Sequence, residues 1–218
     1  MKSSIGRKIL MALSGFFLLF FLVQHLTINL ISVFSEDAFN SVSHFMGYNF
    51  LVQAVLQPVL MFGIIFHLGM GIYLELKNKK AKGQKNVKNN ASANSSWVSR
   101  NMVVTGIMIM LFLIAHLLDF WAKEMDYKYI SVVAEDPTRY WAELHHEMGE
   151  LKHMVIYVLS FIFLSLHLMH GFQSAFQSVG FNHNKYTPIV KKLGYTYAIL
   201  VPTGFVFVAL FHFFTQSH

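Results

Sequence analysis

Four histidines lie deep within long apolar stretches of the chain and could carry its chemistry. His25 lies in "GFFLLFFLVQHLTINLISVF", His67 in "LMFGIIFHLGMGIY", His116 in "MLFLIAHLLDFW" and His167 in "LSFIFLSLHLMHG". An ionisable side chain within a membrane-length apolar segment costs free energy and by default marks a functional site. One such histidine is explained by a hydrogen bond to a neighbouring helix, but one on each of four consecutive segments indicates a shared role.

The depth of the four histidines sorts them into two pairs. If successive segments cross in opposite directions, His25 and His116 lie about sixteen residues, or about 24 Å, from the side where the chain begins. His67 and His167 lie about nine to eleven residues, or about 14–16 Å, from the same side. The two levels are therefore roughly 10 Å apart, and two imidazoles at one level can hold one metal ion or one macrocycle between them.

The surroundings of the second pair favour a flat ligand. His67 to Gly71 and His167 to Gly171 share the frame His-x-x-x-Gly, and a glycine one turn from a ligand lies on the same helix face. Imidazole suits iron, and haem is held through axial side chains of this kind. With both axial positions filled, such a haem would transfer electrons rather than bind oxygen. His170 also faces the bundle, and we expect it beside the haem because His167 fits the frame.

Five apolar segments are long enough to carry these histidines across a membrane. About 20 helical residues cross roughly 30 Å of hydrocarbon, and the segments are about 9–34, 51–76, 101–122, 153–178 and 194–215. The chain is 55% hydrophobic and 13% charged, against about 25% charged residues in soluble domains. We therefore predict a single all-α domain over residues 1–218, an integral membrane bundle of five transmembrane helices with two haem groups between helices 1–4.

The charges between the segments predict the orientation. Thirteen of the 17 Lys and Arg lie at the N-terminus, in 77–100 and near 185–192, whereas ten of the 11 acidic residues lie at the opposite ends. The positive-inside rule then places the N-terminus in the cytoplasm and the C-terminus outside. This sorting accounts for the net charge of +6 without nucleic acid as a partner.

Two connecting segments have distinct compositions. Residues 77–96 are rich in Lys, Asn and Ser and are expected to form a mobile linker, in which the sequons at Asn90 and Asn94 face the cytoplasm and stay unglycosylated. The segment 123–152 is expected to include an interfacial helix with Tyr140 and Trp141 at headgroup level. The chain has no cysteine, which excludes disulfides, a thiolate-held iron–sulfur cluster and a c-type haem attachment.

Several motifs together resemble the cytochrome b558 family, the membrane-anchor subunits of succinate dehydrogenase and fumarate reductase. They are "LVQHLTIN", "AFNSVSHFMG", "FHLGMGIY", "AHLLDFW" and "LHLMHGFQSAFQSVGF". The resemblance is to the single-chain, five-helix, di-haem type of Gram-positive and Bacteroidetes-like bacteria, which implies a multi-pass protein of the bacterial inner membrane. It implies that His25 and His116 ligate a distal haem b near the outer face. It also implies that His67 and His167 ligate a proximal haem b near the cytoplasm, which is the pairing that depth predicts.

The resemblance also implies partners and a task. Such a chain anchors a flavoprotein with covalent FAD, where succinate and fumarate interconvert in the tricarboxylic acid cycle, and an iron–sulfur protein. It relays electrons between the iron–sulfur subunit and a membrane quinone, usually menaquinone. By itself the chain would not act on succinate, because it has neither a dinucleotide-binding glycine fingerprint nor cluster cysteines. Its basic loops would contact the soluble subunits and anionic lipid headgroups.

A quinone site needs groups that bond two carbonyl oxygens and a path for protons. The candidates near the outer ends of the first three spans are His44, Gln53 and Asp119, for which ordinary interfacial roles remain an alternative. The family commonly has an acidic residue just after the first span. Here "SHFMGYNF" contains no acid, so the proton-relaying group stays open.

Two other functions compete with this interpretation. One is a di-haem cytochrome b that anchors another respiratory dehydrogenase or a hydrogenase; a respiratory-complex cytochrome b is disfavoured because it carries two histidines on each of two helices. The other is a proton-coupled transporter with a histidine relay, for which broken helices are typical. Here that sign is limited to Pro58 and Pro202. A zinc hydrolase gains no support, because "HHEMGE" lacks the His-Glu-x-x-His frame.

Overall fold

The computed structural model describes residues 3–81 and 101–216. No strand occurs within these ranges, and the helices follow one another along the chain. They are α1 (Ser4–Phe34), α2 (Glu36–Tyr48), α3 (Gln57–Ala81, led by a π-helical turn Val52–Leu56), α4 (Met102–Ile130), α5 (Arg139–Gly149), α6 (Leu151–Ser178) and α7 (Thr187–Thr215). The first residues of the predicted linker continue α3 to Ala81, and the rest of it, with Asn90 and Asn94, lies outside the described residues.

Five of these helices, α1, α3, α4, α6 and α7, are long and apolar enough to cross a membrane. The prediction of an all-helical bundle with five such helices is therefore confirmed. Several bounds are wider than hydropathy indicated: α1 begins at Ser4 rather than about residue 9, and α7 at Thr187 rather than about 194. Hydropathy detects the part of a helix that suits hydrocarbon, and polar turns continue beyond it.

The two ends of the bundle differ in charge, and we name them accordingly. The basic end carries Ser4, Ala81, Met102, Ser178 and Thr187; the acidic end carries Phe34, Val52, Ile130, Leu151 and Thr215. Contacts show that two pairs of helices run antiparallel. Positions 11, 14 and 17 of α1 lie beside positions 71, 67 and 63 of α3, and positions 102, 105 and 116 of α4 lie beside positions 171, 167 and 157 of α6.

Helix α4 continues to Ile130 through charged residues that the sequence placed in a loop. Lys123 contacts Glu147 of α5, and Glu124 contacts both Arg139 of α5 and Lys128 one turn ahead. Burial by itself would lower the pKa of Arg139. Its hydrogen bonds to Glu124 of α4 and to Glu143 of α5 outweigh burial and raise that pKa above its usual range. Because these charges are paired, the helix can continue beyond residue 122. It includes the π-helical segments Leu117–Ala122 and Asp126–Ile130.

Helix α7 is the most buried of the five long helices and packs against α6 and α1. It contains Pro202, which cannot donate a hydrogen bond to the carbonyl of Ala198 four residues earlier. The hydroxyl of Ser165 on α6 donates to that carbonyl at 2.7 Å. The neighbouring helix thus satisfies the group that proline leaves free, which allows α7 to continue unbroken.

The short helices α2 and α5 cover the acidic end. The hydroxyl of Ser35 accepts from the backbone N–H of Ala38 at 3.2 Å and begins α2 directly after α1. Trp141 of α5 donates its indole N–H to the carbonyl of Ser32 at 2.9 Å and its backbone N–H to the side chain of Asn40 at 2.7 Å. The helix expected within 123–152 is therefore present, and Trp141 bonds it to α1 and α2.

Candidate functional site

The structure brings the four histidines together in two pairs. The ring centroids of His25 and His116 are 5.7 Å apart with the planes at 80°, and those of His67 and His167 are 6.5 Å apart at 70°. Two ligand nitrogens each about 2 Å from one metal ion place their imidazole centroids roughly 6.3 Å apart. Both pairs lie within an ångström of that separation, which fits two imidazoles on opposite sides of one ion.

One hydroxyl orients the ring of His67. The hydroxyl of Ser14 on α1 donates to the carbonyl of Met11 at 2.8 Å, and its oxygen lies 3.0 Å from Nδ1 of His67. A hydroxyl has one proton, so with that proton on the carbonyl the Ser14 oxygen accepts from Nδ1–H. The lone pair of His67 is then on Nε2, the state that a metal-ligating histidine requires.

The same arrangement recurs at His167. The hydroxyl of Thr105 on α4 donates to the carbonyl of Met102 at 2.9 Å, and its oxygen lies 3.2 Å from Nδ1 of His167. By the same argument Nδ1 carries the proton and Nε2 the lone pair. Both histidines of this pair therefore offer the nitrogen that an axial haem ligand uses, so the donor chemistry fits the haem that the sequence predicts.

These contacts reveal an internal repeat that the sequence analysis missed. The pattern Met-x-x-(Ser/Thr)-Gly followed ten residues later by His spans 11–25 and recurs over 102–116, and the His-x-x-x-Gly frames at 67–71 and 167–171 follow the two copies. The pairs α1–α3 and α4–α6 are therefore two copies of one helical hairpin. Ser14 and Thr105 each follow a methionine by three residues, and this shared position could have identified both as partners of the histidines from the sequence.

Glycines of the repeat lie at close contacts. A Cβ on Gly15 would come within 3.7 Å of the His67 ring, and one on Gly106 within 3.6 Å of the His167 ring. The two glycines of the His-x-x-x-Gly frames face the repeat's methionines instead, at 3.6 Å for Gly71 and 3.4 Å for Gly171. Small residues thus allow α1 to approach α3, and α4 to approach α6, beside the imidazoles.

The other pair has a different set of neighbours. Tyr157 of α6 donates its hydroxyl to Oδ2 of Asp119 at 3.0 Å, and the same oxygen lies 3.3 Å from Nδ1 of His116. Because the tyrosine proton goes to the carboxylate, Nδ1–H of His116 is the donor to Tyr157. The ring of His25 stacks on Phe21 at 5.3 Å and lies 5.6 Å from Phe205.

The two pairs lie further apart along the bundle than the residue counts suggested. Ser14 contacts His67, and His25 follows eleven residues later on the same helix, a rise of about 16 Å rather than about 10 Å. Thr105 and His116 repeat this spacing on α4. The earlier figure assumed that all helices end at one height, whereas the contacts themselves fix the levels.

The remaining candidates have separate surroundings. His170 is partly buried one turn after His167. Nε2 of His44 lies 2.9 Å from a carboxylate oxygen of Glu135, and Gln53 donates to the carbonyl of Met46 at 2.8 Å. Gln53 also lines a cleft of about 450 Å³ between the start of the second span and α4, whose walls include Phe50, Gln57, Met61, Trp121 and Tyr129. Asp119, besides bonding Tyr157, lines a different cavity between α4 and α5.

Over 96 residues, the chain is 30% identical to the succinate dehydrogenase cytochrome b558 subunit of Bacillus subtilis (strain 168). This chain is similar to a cytochrome b558 subunit. The matched part covers 44% of this chain and 45% of the relative, so the similarity spans less than half the length of either protein. No protein-family model matches the chain, and no solved structure matches it.

Proposed function

We propose that this chain is the cytochrome b558 membrane anchor of a succinate:quinone oxidoreductase, respiratory complex II. It binds two haem b groups and relays electrons between an iron–sulfur subunit and a membrane quinone. The similarity to the Bacillus subtilis subunit supports the family. The observation that carries the haem assignment is the orientation of His67 and His167, each of which donates Nδ1–H to a hydroxyl and keeps Nε2 free.

The four histidines form two haem sites at different levels of the bundle. His67 and His167 hold the proximal haem towards the basic end, and His25 and His116 hold the distal haem towards the acidic end. Haem b held by these histidines would supply reversible one-electron chemistry. The chain's own groups set its surroundings: Ser14 and Thr105 fix the tautomer at one level, whereas Tyr157 does so for His116 at the other.

The soluble partners dock at the basic end. Positively charged side chains cluster there on the described helices, including Arg7, Lys8, Lys79, Lys80, Lys191 and Lys192. By the positive-inside rule this end faces the cytoplasm, where a flavoprotein with FAD and an iron–sulfur subunit are found in the family. The proximal pair is the nearer of the two haem sites to this end, so electrons enter or leave the membrane through it.

Menaquinone binds towards the acidic end, in the cleft that Gln53 lines. The walls of this cleft combine two glutamine amides with aromatic and methionine side chains. Among them is Trp121, five residues after His116 on α4. Apolar walls with a few convergent polar groups are typical of small-molecule sites. Of the three predicted quinone residues, Gln53 lines this cleft, whereas His44 and Asp119 do not, so Gln53 is the one that we propose next to the quinone ring.

Haem counting in purified protein tests the assignment. The native chain should contain two haems by pyridine haemochrome assay, with b-type bands on reduction. His67→Ala or His167→Ala should remove the proximal haem and His25→Ala the distal one, leaving about one haem per chain, since a single imidazole cannot fill both axial positions. His183→Ala, an exposed histidine in the α6–α7 turn, is the control that should retain both. Two haems in every single variant would refute the proposal.

Purification from native membranes identifies the complex. A flavoprotein with covalently bound FAD and an iron–sulfur protein should elute with this chain, together with succinate:quinone reductase activity. Recovery of a hydrogenase or formate dehydrogenase subunit instead would keep the haem assignment and exclude the succinate dehydrogenase assignment. A preparation without haem bands would favour a transporter.

A further inference from the structure

A separate cluster of ligating side chains lies at the acidic end. Asp119 of α4, Glu147 of α5 and His153 of α6 each offer one oxygen or nitrogen atom, and these atoms all lie within 4.8 Å of one another. The residues come from three helices, so the cluster exists only in the folded chain. It contains none of the four histidines assigned to haem.

The carboxylate of Glu147 points into this cluster and is incompletely satisfied. Glu147 is 8% exposed, and its Oε2 is shielded from solvent without a hydrogen-bond partner. That oxygen lies 3.5 Å from Nδ1 of His153, while Oε1 contacts Lys123. A buried carboxylate oxygen without a donor carries an uncompensated desolvation cost, which a bound cation would offset.

The other two members can each supply one ligand atom. Nδ1 of His153 lies 3.1 Å from the backbone carbonyl of Glu147 and 3.5 Å from its Oε2, so Nδ1 is the ring nitrogen that faces the carboxylate. In the absence of a metal Nδ1 carries the proton, because a carbonyl only accepts; a bound cation would take the Nδ1 lone pair and leave the proton on Nε2. Asp119 accepts from Tyr157 with Oδ2, which leaves its second oxygen for another partner. The donor set is therefore two carboxylate oxygens and one imidazole nitrogen.

We propose that Asp119, Glu147 and His153 bind a divalent transition-metal ion of the zinc class. Zinc accepts histidine nitrogen and carboxylate oxygen in a four-coordinate site, with water in a position that the protein leaves open. Magnesium and calcium favour six or more oxygen ligands, which a set containing imidazole does not supply. A cavity of about 960 Å³, lined by Asp119, Glu147 and charged side chains of α4 and α5, gives the ion access from the acidic end.

Lys123 competes with the metal for Glu147. Its ammonium contacts the carboxylate, but the lysine side chain is 60% exposed and the glutamate side chain 10%, so the lysine can turn out into the cavity while Glu147 stays in place. Removing the lysine charge should therefore tighten metal binding, whereas removing the glutamate charge should weaken it. These opposite signs separate a metal site from a purely structural ion pair, for which both changes would leave zinc uptake unaltered.

Equilibrium dialysis of the full-length holoprotein, purified without a polyhistidine tag, tests the site. Zinc and iron are counted together by mass spectrometry after dialysis against zinc chloride, so haem loading is known for each sample. The native chain should take up one zinc ion per chain. Glu147→Gln should bind zinc at least about tenfold more weakly, since it removes one of three ligands and its charge. Lys123→Met should bind zinc more tightly.

Two further variants complete the test. Glu143→Gln alters another carboxylate of α5 that lines the same cavity but bonds Arg139, and it should bind zinc like the native chain. His153→Asn should match the loss in Glu147→Gln, and it replaces that variant if Glu147→Gln fails to fold with its haems. Native protein that takes up no zinc, or ligand variants that take up as much as Glu143→Gln, would overturn the proposal.

Discussion

A hydroxyl that already donates its one proton can only accept from an imidazole beside it, and it therefore fixes which ring nitrogen carries the proton. Ser14 and Thr105 each donate to a backbone carbonyl of their own helix and accept from a histidine of the next one. The partner of a ligating histidine fixes both its tautomer and its orientation, and losing such a partner typically costs 10–100-fold in metal affinity. In the proposed proximal site, Ser14 and Thr105 would therefore hold the two histidines in place without touching the iron.

Removing either hydroxyl should loosen the proximal haem. Ser14→Ala and Thr105→Ala are each expected to lower haem affinity at the His67–His167 level by about 10–100-fold, measured as haem transfer to excess apomyoglobin. Ser14→Thr should restore retention because it keeps a hydroxyl. Ser160→Ala is the matched control, since Ser160 also bonds a carbonyl of its own helix and is not a partner of these rings. Equal retention in Ser14→Ala and Ser160→Ala would contradict the role.

At the other level, Tyr157 links His116 to the carboxylate of Asp119. By accepting from Nδ1–H, this link makes the other nitrogen of His116 a stronger electron donor, which in the proposed site would stabilise oxidised iron. Tyr157→Phe should therefore shift the midpoint potential of the distal haem upwards and leave the proximal haem unchanged in a redox titration.

The control for this change is Tyr197→Phe. Tyr197 donates its hydroxyl to the carbonyl of Leu19 on α1 at 2.6 Å, so the variant removes a comparable partly buried hydroxyl that does not bond a histidine. Both potentials should stay at their native values. A Tyr157→Phe protein with two native potentials would show that the hydrogen bond to His116 has no electronic effect.

At the scale of elements, α7 depends on a bond from its neighbour. Ser165 satisfies the Ala198 carbonyl that Pro202 leaves free, so Ser165→Ala should leave a buried acceptor unpaired and destabilise the protein by about 1–3 kcal/mol. Pro202→Ala restores a backbone N–H, and the double variant should lose less stability than Ser165→Ala alone. Unfolding in a denaturing detergent, followed by the haem spectrum, measures both. Simple additivity of the two changes would contradict this explanation.

The end of α4 shows how pairing changes an element's length. Lys123, Glu124 and Asp126 argued for a loop beyond residue 122, since isolated charges are unfavourable in a span. In the structure, Glu124 has Arg139 and Lys128 as partners and Lys123 has Glu147. The helix therefore continues for two further turns, and it carries α5 and the cluster of Asp119, Glu147 and His153 above the distal histidines.

For the whole molecule, the repeat explains why there are two pairs of histidines and how the surroundings of the two pairs differ. Two helical hairpins, α1–α3 and α4–α6, supply the four histidines, and α7 packs against α1 and α6. Parallel repeats of this kind are related by an axis along the membrane normal. The proximal pair takes matching hydroxyls from both copies. The distal pair has unequal neighbours, Phe21 beside His25 and Tyr157 beside His116.

The charge distribution predicts one orientation of this bundle. Alkaline phosphatase fused after the last residue should be active and a fluorescent protein fused there dark, because the positive-inside rule places the C-terminus outside the cytoplasm. Fusions to the N-terminus should give the opposite result, and fusions after Lys80, at the basic end of α3, should agree with the N-terminal ones. Active phosphatase at the basic end would invert the assignment of proximal and distal haems.

The sequence by itself determined the five apolar helices and the two pairs of histidines, because span length and residue depth along a helix are set by the chain alone. Only the tertiary structure decided which groups bond Nδ1 of each imidazole, how far apart the two levels lie, and that Asp119, Glu147 and His153 meet. Those features depend on how each helix is rotated about its axis and on how high it sits beside its neighbours. Contacts between residues such as Ser14 and His67, 53 positions apart, fix both quantities, and no local pattern records them.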